Sequence, residues 1–117
     1  MEAVIQKDRE LVEFLIEAGA DVNVRDTRKW TALHFASQEQ DTVLVERLIE
    51  AGAEVNATDD FGNSVIARAV ISFRGNGDVI RILLAQGADI DTKNDRGISA
   101  LDTARNISNY DVLQFLD

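Results

Sequence analysis

Glu17-Ala18-Gly19-Ala20-Asp21-Val22-Asn23 returns as Glu50-Ala51-Gly52-Ala53-Glu54-Val55-Asn56 and again, loosened, as Ala85-Gln86-Gly87-Ala88-Asp89-Ile90-Asp91. The glycines Gly19, Gly52 and Gly87 stand 33 and 35 residues apart, so one register recurs with a single two-residue insertion. Self-similarity at that period marks a stacked array, in which each unit buries its apolar face only against its neighbours.

Upstream of each glycine the apolar residues keep helical spacing: Leu11, Val12, Leu15, Ile16, then Leu44, Val45, Leu48, Ile49, then Val79, Ile80, Leu83, Leu84. Val112, Leu113 and Leu116 carry a fourth copy. Residues at i, i+1, i+4 and i+5 share one stripe of a helix, and each glycine then falls where a left-handed helix end is cheap without a Cβ. A second helix precedes each of these, opened by Thr31, Ser64 and Ser99, whose hydroxyls suit a capping role. Ala36, Ala69 and Ala104 recur within it, small enough for neighbouring units to approach closely.

The chain has 117 residues, 45% of them apolar, which fits one domain, 1–117. Twelve Lys and Arg against 21 Asp and Glu leave a net charge of −9. A surface of that sign repels phosphates, so nucleic acid is excluded as the expected partner and a basic protein is favoured. With no cysteine there is neither a disulfide framework nor a thiolate metal site. The first residues show no secretory pattern and no run reaches membrane-spanning length, so a cytoplasmic, monomeric protein is expected.

At Thr31-Ala32-Leu33-His34-Phe35-Ala36, followed by the segment around Gly52, the chain resembles the ankyrin repeat family. The resemblance implies an all-α repeat solenoid of about four helix pairs, at 1–18, 31–51, 64–86 and 99–117. Repeats would run about 1–25, 26–58, 59–93 and 94–117. It implies β-hairpin fingers at about 24–31, 57–64 and 92–99. Proline is absent, and Ala32, Val65 and Ala100 stand where the family usually has it. Lys29 occupies the finger position held by Gly62 and Gly97, so it must accept a positive φ or reshape that finger. His34 matches a family histidine that bonds backbone of its own and the adjacent repeat.

Catalysis needs a nucleophile with its base, a carboxylate pair, a metal cluster or a phosphate loop, and the sequence presents none of these. One histidine leaves no triad, Gly75-Asn76-Gly77 does not fit a phosphate-binding fingerprint, and Asp59-Asp60 lacks calcium-loop spacing. A non-enzyme without cofactor or metal is expected.

The remaining candidate is surface. In the family, fingertips and the exposed side of each first helix line a concave groove. The resemblance carries that role to Thr27, Arg28, Trp30, Gln38 and Glu39, to Asp60, Phe61, Asn63, Ile71 and Ser72, and to Asp95, Arg96, Ile98, Asn106 and Ile107. Trp30 and Phe61 are the aromatic anchors to expect, against the alternative that both merely pack between fingers. The longer loop Ser72–Asp78 is either a tolerated insertion or further contact surface through Phe73 and Arg74.

The implied function is a protein-binding module. Arg74–Ile80 and the C-terminal Asn106–Leu116 resemble bacterial ankyrin proteins found beside secreted toxins, which suggests an immunity or inhibitor protein. The alternative is a scaffold or adaptor segment. Leu15 with Asn23, and Leu48 with Asn56, also resemble ankyrin segments hydroxylated on asparagine, although those asparagines have a structural use in the turn.

Overall fold

Each recurrent glycine ends a helix as its spacing predicts. The computed structural model describes residues 9–106 and 110–116. After α1 (Arg9–Glu17), α2 (Ala32–Gln38) pairs with α3 (Thr42–Glu50) and α4 (Val65–Ile71) with α5 (Asp78–Ala85). Then α6 (Ala100–Asn106) pairs with a 3-10 helix, Tyr110–Phe115. The first half of the expected 1–18 pair lies outside the described residues. The fourth copy of the second helix is 3-10 rather than α.

Gly19, Gly52 and Gly87 have φ of 81°, 98° and 91°. They let the next backbone N–H turn back: Ala20 donates to Leu15 O, Ala53 to Leu48 O and Ala88 to Leu83 O, at 2.9, 2.9 and 3.0 Å. Carbonyls that the helix end would orphan are thereby satisfied in all three units. At the other end, Thr31, Ser64 and Ser99 accept from His34, Ala67 and Asp102 backbone N–H. His34 and Asp102 return the bond to the backbone N–H of Thr31 and Ser99, completing a capping box that Ala67 cannot form.

The helices lie in two rows. Helices α2, α4 and α6 pack closely on one another, while α1, α3 and α5 touch more loosely along the second row. Ala36, Ala69 and Ala104 are buried where the inner row is tightest. Between the rows Leu33, Val45, Leu48, Val65, Ile66, Val70, Ile80 and Leu83 join one continuous core, each contributing about 1.5 to 3 kcal/mol. The described residues span 40 × 27 × 25 Å, elongated along the stack.

The connections between units are turns rather than paired strands. Among the described residues no strand forms, and a single isolated bridge joins Thr58 to Ser64. Each turn is instead closed twice by backbone bonds, as in Asp59 N–H to Asn63 O at 3.0 Å and Gly62 N–H to Asp59 O at 2.9 Å. The hairpins expected at 24–31, 57–64 and 92–99 are thus narrower than a ladder. An acceptor side chain takes the bonds that a longer hairpin would make between strands.

Candidate functional site

That acceptor is Asp26, Asp59 or Asn94, one per turn, at intervals of 33 and 35 residues. Its Oδ1 accepts two backbone N–H groups, those of Arg28 and Trp30, of Phe61 and Asn63, and of Arg96 and Ile98, all between 2.8 and 3.0 Å. Short polar side chains that bond two residues ahead favour such turns over extended pairing. Lys29, Gly62 and Gly97 occupy the left-handed position, with φ of 63°, 79° and 78°. Lys29 therefore accepts the strain without reshaping its finger.

Adjacent fingers are stitched together by backbone. Asp60 N–H donates to Arg28 O at 3.0 Å and Asp95 N–H to Phe61 O at 2.9 Å. Asn94 Nδ2 donates to Asn63 Oδ1 at 2.8 Å. Below them His34 crosses between units: its Nδ1 accepts from Thr31 N–H, and Nε2–H reaches Asn63 O at 3.4 Å. That set of partners selects the tautomer protonated on Nε2, and burial pushes the imidazole below its usual range. Behind the outer helices, Asn23 and Asn56 staple successive units. Each donates to the glycine carbonyl of the next unit, Gly52 or Gly87, and accepts from Glu54 or Asp89 N–H. Their amides are engaged in holding the stack.

Most of the expected side chains lie on the fingers and inner helices. Phe61 is 62% exposed, Ile71 50% and Ile98 39%, three apolar groups that the core does not use. Thr27, Arg28, Glu39, Asp60, Asp95, Arg96 and Asn106 are exposed beside them, and Gln38 is half-buried. Ile107 lies outside the described residues. Asn63 and Ser72 are half-buried and already occupied, Asn63 by Asn94 and His34, and Ser72 by its bond to Arg68 O.

Trp30 requires a correction: it is 6% exposed and is no open anchor. Its ring meets Phe35 at 4.5 Å and His34 at 5.6 Å, and lies within 5.2 Å of the Arg28 guanidinium and 4.8 Å of the Arg68 guanidinium. Trp30 precedes the cap Thr31, and Phe35 is the fourth residue of α2, so the pair is a hydrophobic staple that fixes the entry of the chain into the helix. Arg68, absent from the set expected from sequence, covers the indole together with Arg28. It also lies 3.8 Å from the buried carboxylate of Asp59. The signal for it was its register, since Arg68 takes the inner-helix position held by Phe35 and Thr103.

The longer loop also resolves toward packing. Phe73 is half-buried with its ring 5.6 Å from Phe115, while Arg74 is exposed. A Cβ on Gly77 would come within 2.5 Å of Phe115, so the loop glycine makes room for the last helix.

Two further hollows are present. One, about 360 Å3, opens beside α1 and is lined by Val12, Leu15, Val22, Val24, Ala32 and Leu48 among others. The other, about 290 Å3, is a furrow between α3 and α5 bordered by Glu46, Glu50 and Gln86. Among the described residues no three His, Asp or Glu side chains gather where one metal ion could be held. No described helix is long and apolar enough to cross a membrane.

Comparison with known proteins agrees with the repeat. The family described as Ankyrin repeats (3 copies) matches residues 1–94. An ankyrin repeat protein of Fowlpox virus (strain NVSL) is 33% identical over 112 residues, covering 92% of this chain and 33% of that protein. The chain thus spans about a third of that relative's length.

Proposed function

Since the chain belongs to the ankyrin repeat family, we propose that it binds a protein partner through the side formed by its fingers and inner helices. Ankyrin repeats generally mediate protein–protein interaction, and the family is typically non-catalytic. The observation that carries the choice of face is Phe61 and Ile98, exposed apolar groups on fingers stitched to their neighbours by backbone, with Ile71 exposed at the end of α4. A surface already held in place loses little conformational freedom on binding.

Within this reading the finer role is that of an immunity or inhibitor protein occupying the active surface of a bacterial toxin. The net charge of −9 supports it through faster encounter with a basic protein. The alternative is a scaffold or adaptor segment within a larger assembly.

The test is affinity capture from the source cell with the native chain and with a Phe61→Ala, Ile98→Ala variant. Recovery of one protein by the native chain, reduced about tenfold by the variant, supports the proposed face. Equal recovery by both removes it. A toxin encoded alongside supports the inhibitor role over the adaptor.

A further inference from the structure

Asn76 is the only asparagine of this chain followed by glycine; Val24, Ala57, Ser64, Asp95, Ile107 and Tyr110 follow the others. A backbone nitrogen reaches the side-chain carbonyl of the asparagine before it most easily where the attacking residue has no Cβ to obstruct the approach.

The asparagines also differ in what holds them. Asn23 and Asn56 donate Nδ2 to a glycine carbonyl and accept on Oδ1 from the next unit. Asn94 donates to Asn63 and accepts from two backbone N–H groups, while Asn63 is half-buried. Asn76, by contrast, is exposed on the loop between α4 and α5, and its Oδ1 accepts from Asp78 N–H at 2.8 Å. That donor lies where the carbonyl oxygen gains negative charge when Cγ is attacked, so it polarises the bond and stabilises the tetrahedral stage. Gly77 N–H makes no backbone hydrogen bond among the described residues, so the attacking nitrogen gives none up.

We infer that Asn76 is a site of spontaneous deamidation, with water as the co-reactant. Gly77 N bonds to Asn76 Cγ and the Cγ–Nδ2 bond breaks. The proton of Gly77 N leaves with Nδ2 as ammonia, and a five-membered succinimide remains. Water then adds to either ring carbonyl and opens the ring at its bond to Gly77 N. One opening gives an ordinary aspartyl residue. The other gives an isoaspartyl residue, whose main chain runs through the former side-chain carbon and is one atom longer.

The longer product acts on the end of the stack. It extends the chain directly before Gly77, whose backbone lies against the Phe115 ring so closely that a Cβ there would collide with it. Phe115 is held besides by Phe73, with ring centres 5.6 Å apart, and by the Arg81 guanidinium 4.6 Å from its ring. A displaced Gly77 unseats Phe115, and the last unit loosens while the earlier units keep their own contacts. Asn76 is thereby a slow, one-way release for the C-terminal segment.

The test is to hold the native chain warm at mildly alkaline pH and sample it over weeks, beside Asn76→Gln and a synthetic Arg74–Ile80 peptide. Trypsin frees Gly75–Arg81, in which mass spectrometry reads the exchange of an amide –NH2 for –OH. Conversion at Asn76 should outrun that at Asn23, Asn56, Asn63 and Asn94 by about tenfold or more, and keep within about tenfold of the peptide, because exposed loops open at little cost. The deamidated fraction, separated by ion exchange, should show faster hydrogen exchange at Tyr110–Leu116 than fresh protein. Aged Asn76→Gln and fresh Asn76→Asp, which has the charge without the longer main chain, should exchange there like the native chain. Conversion at Asn76 no faster than at the other asparagines, or more than about tenfold slower than in the peptide, would overturn the site. Exchange at Tyr110–Leu116 equal in the deamidated fraction and in Asn76→Asp would overturn the release of Phe115.

Discussion

Arg68, on the inner helix of one unit, rests its guanidinium carbon 4.8 Å from the centre of the Trp30 ring of the unit before. The same guanidinium reaches the Asp59 carboxylate at 3.8 Å, so the indole, the cation and the finger acid form one stack across the junction. An aromatic residue that by composition belongs at an interface is here spent on joining two repeats.

Trp30→Ala should therefore act on stability before it acts on binding. Truncating a buried tryptophan leaves a cavity and removes the staple to Phe35, at about 3 to 5 kcal/mol. Urea unfolding followed by circular dichroism reads this as a lower midpoint. An unchanged midpoint would return Trp30 to the set of open anchors.

The finger glycines separate strain from crowding. A Cβ on Gly62 would lie 3.0 Å from Asp95 Oδ1 and 3.1 Å from Asn94 Cα, whereas one on Gly97 meets nothing within 4 Å. Both carry positive φ, so each alanine costs about 1 kcal/mol from conformation, and Gly62→Ala should cost more than Gly97→Ala. Lys29→Gly should conversely raise stability by about 0.5 to 1 kcal/mol, less the added freedom of the unfolded chain. Unfolding midpoints in that order are expected, and equal losses at Gly62 and Gly97 would contradict the stitched fingers.

Asn56→Ala removes the bonds to Gly87 O and from Asp89 N–H, which tie one unit to the next. Because the site is exposed and water can replace the amide, the expected loss is about 1 kcal/mol. Local hydrogen exchange at Gly87–Asp91 should speed up more than exchange within α3.

Acid should weaken the stack through His34. Burial lowers its folded pKa below the ordinary imidazole value of 6.5, so between those two values the unfolded chain binds more protons. Stability is full above about 6.5 and falls as pH drops toward the folded value. Asp102, held low by bonds from Ser99, gives the same sign at more acid pH. Thermal midpoints taken from about pH 7.5 to pH 5.5 should decline for the native chain and less for His34→Gln, and parallel slopes would remove His34 as the cause.

Much of the architecture was legible in Gly19, Gly52 and Gly87 and in the aliphatic stripe before each, because helix ends and core faces leave periodic marks. The stitching by Asp60, Phe61 and Asp95 was not, since backbone bonds between fingers depend on stacking rather than on side-chain type. Trp30 was misplaced for a related reason. Its environment is set by Arg68, 38 residues away, and only its place before Thr31, with Phe35 four helix positions on, hinted at a staple. Phe61 has a comparable position near a fingertip but lacks such a partner, and it stays open.

The most direct test is hydrogen-exchange mass spectrometry on the chain with its captured partner. If the finger side holds the partner, protection gained on binding falls on 26–30, 59–63 and 94–98 and on the exposed ends of α4 and α6. Protection confined to α3 and α5, with the fingers exchanging as in the free chain, would contradict it.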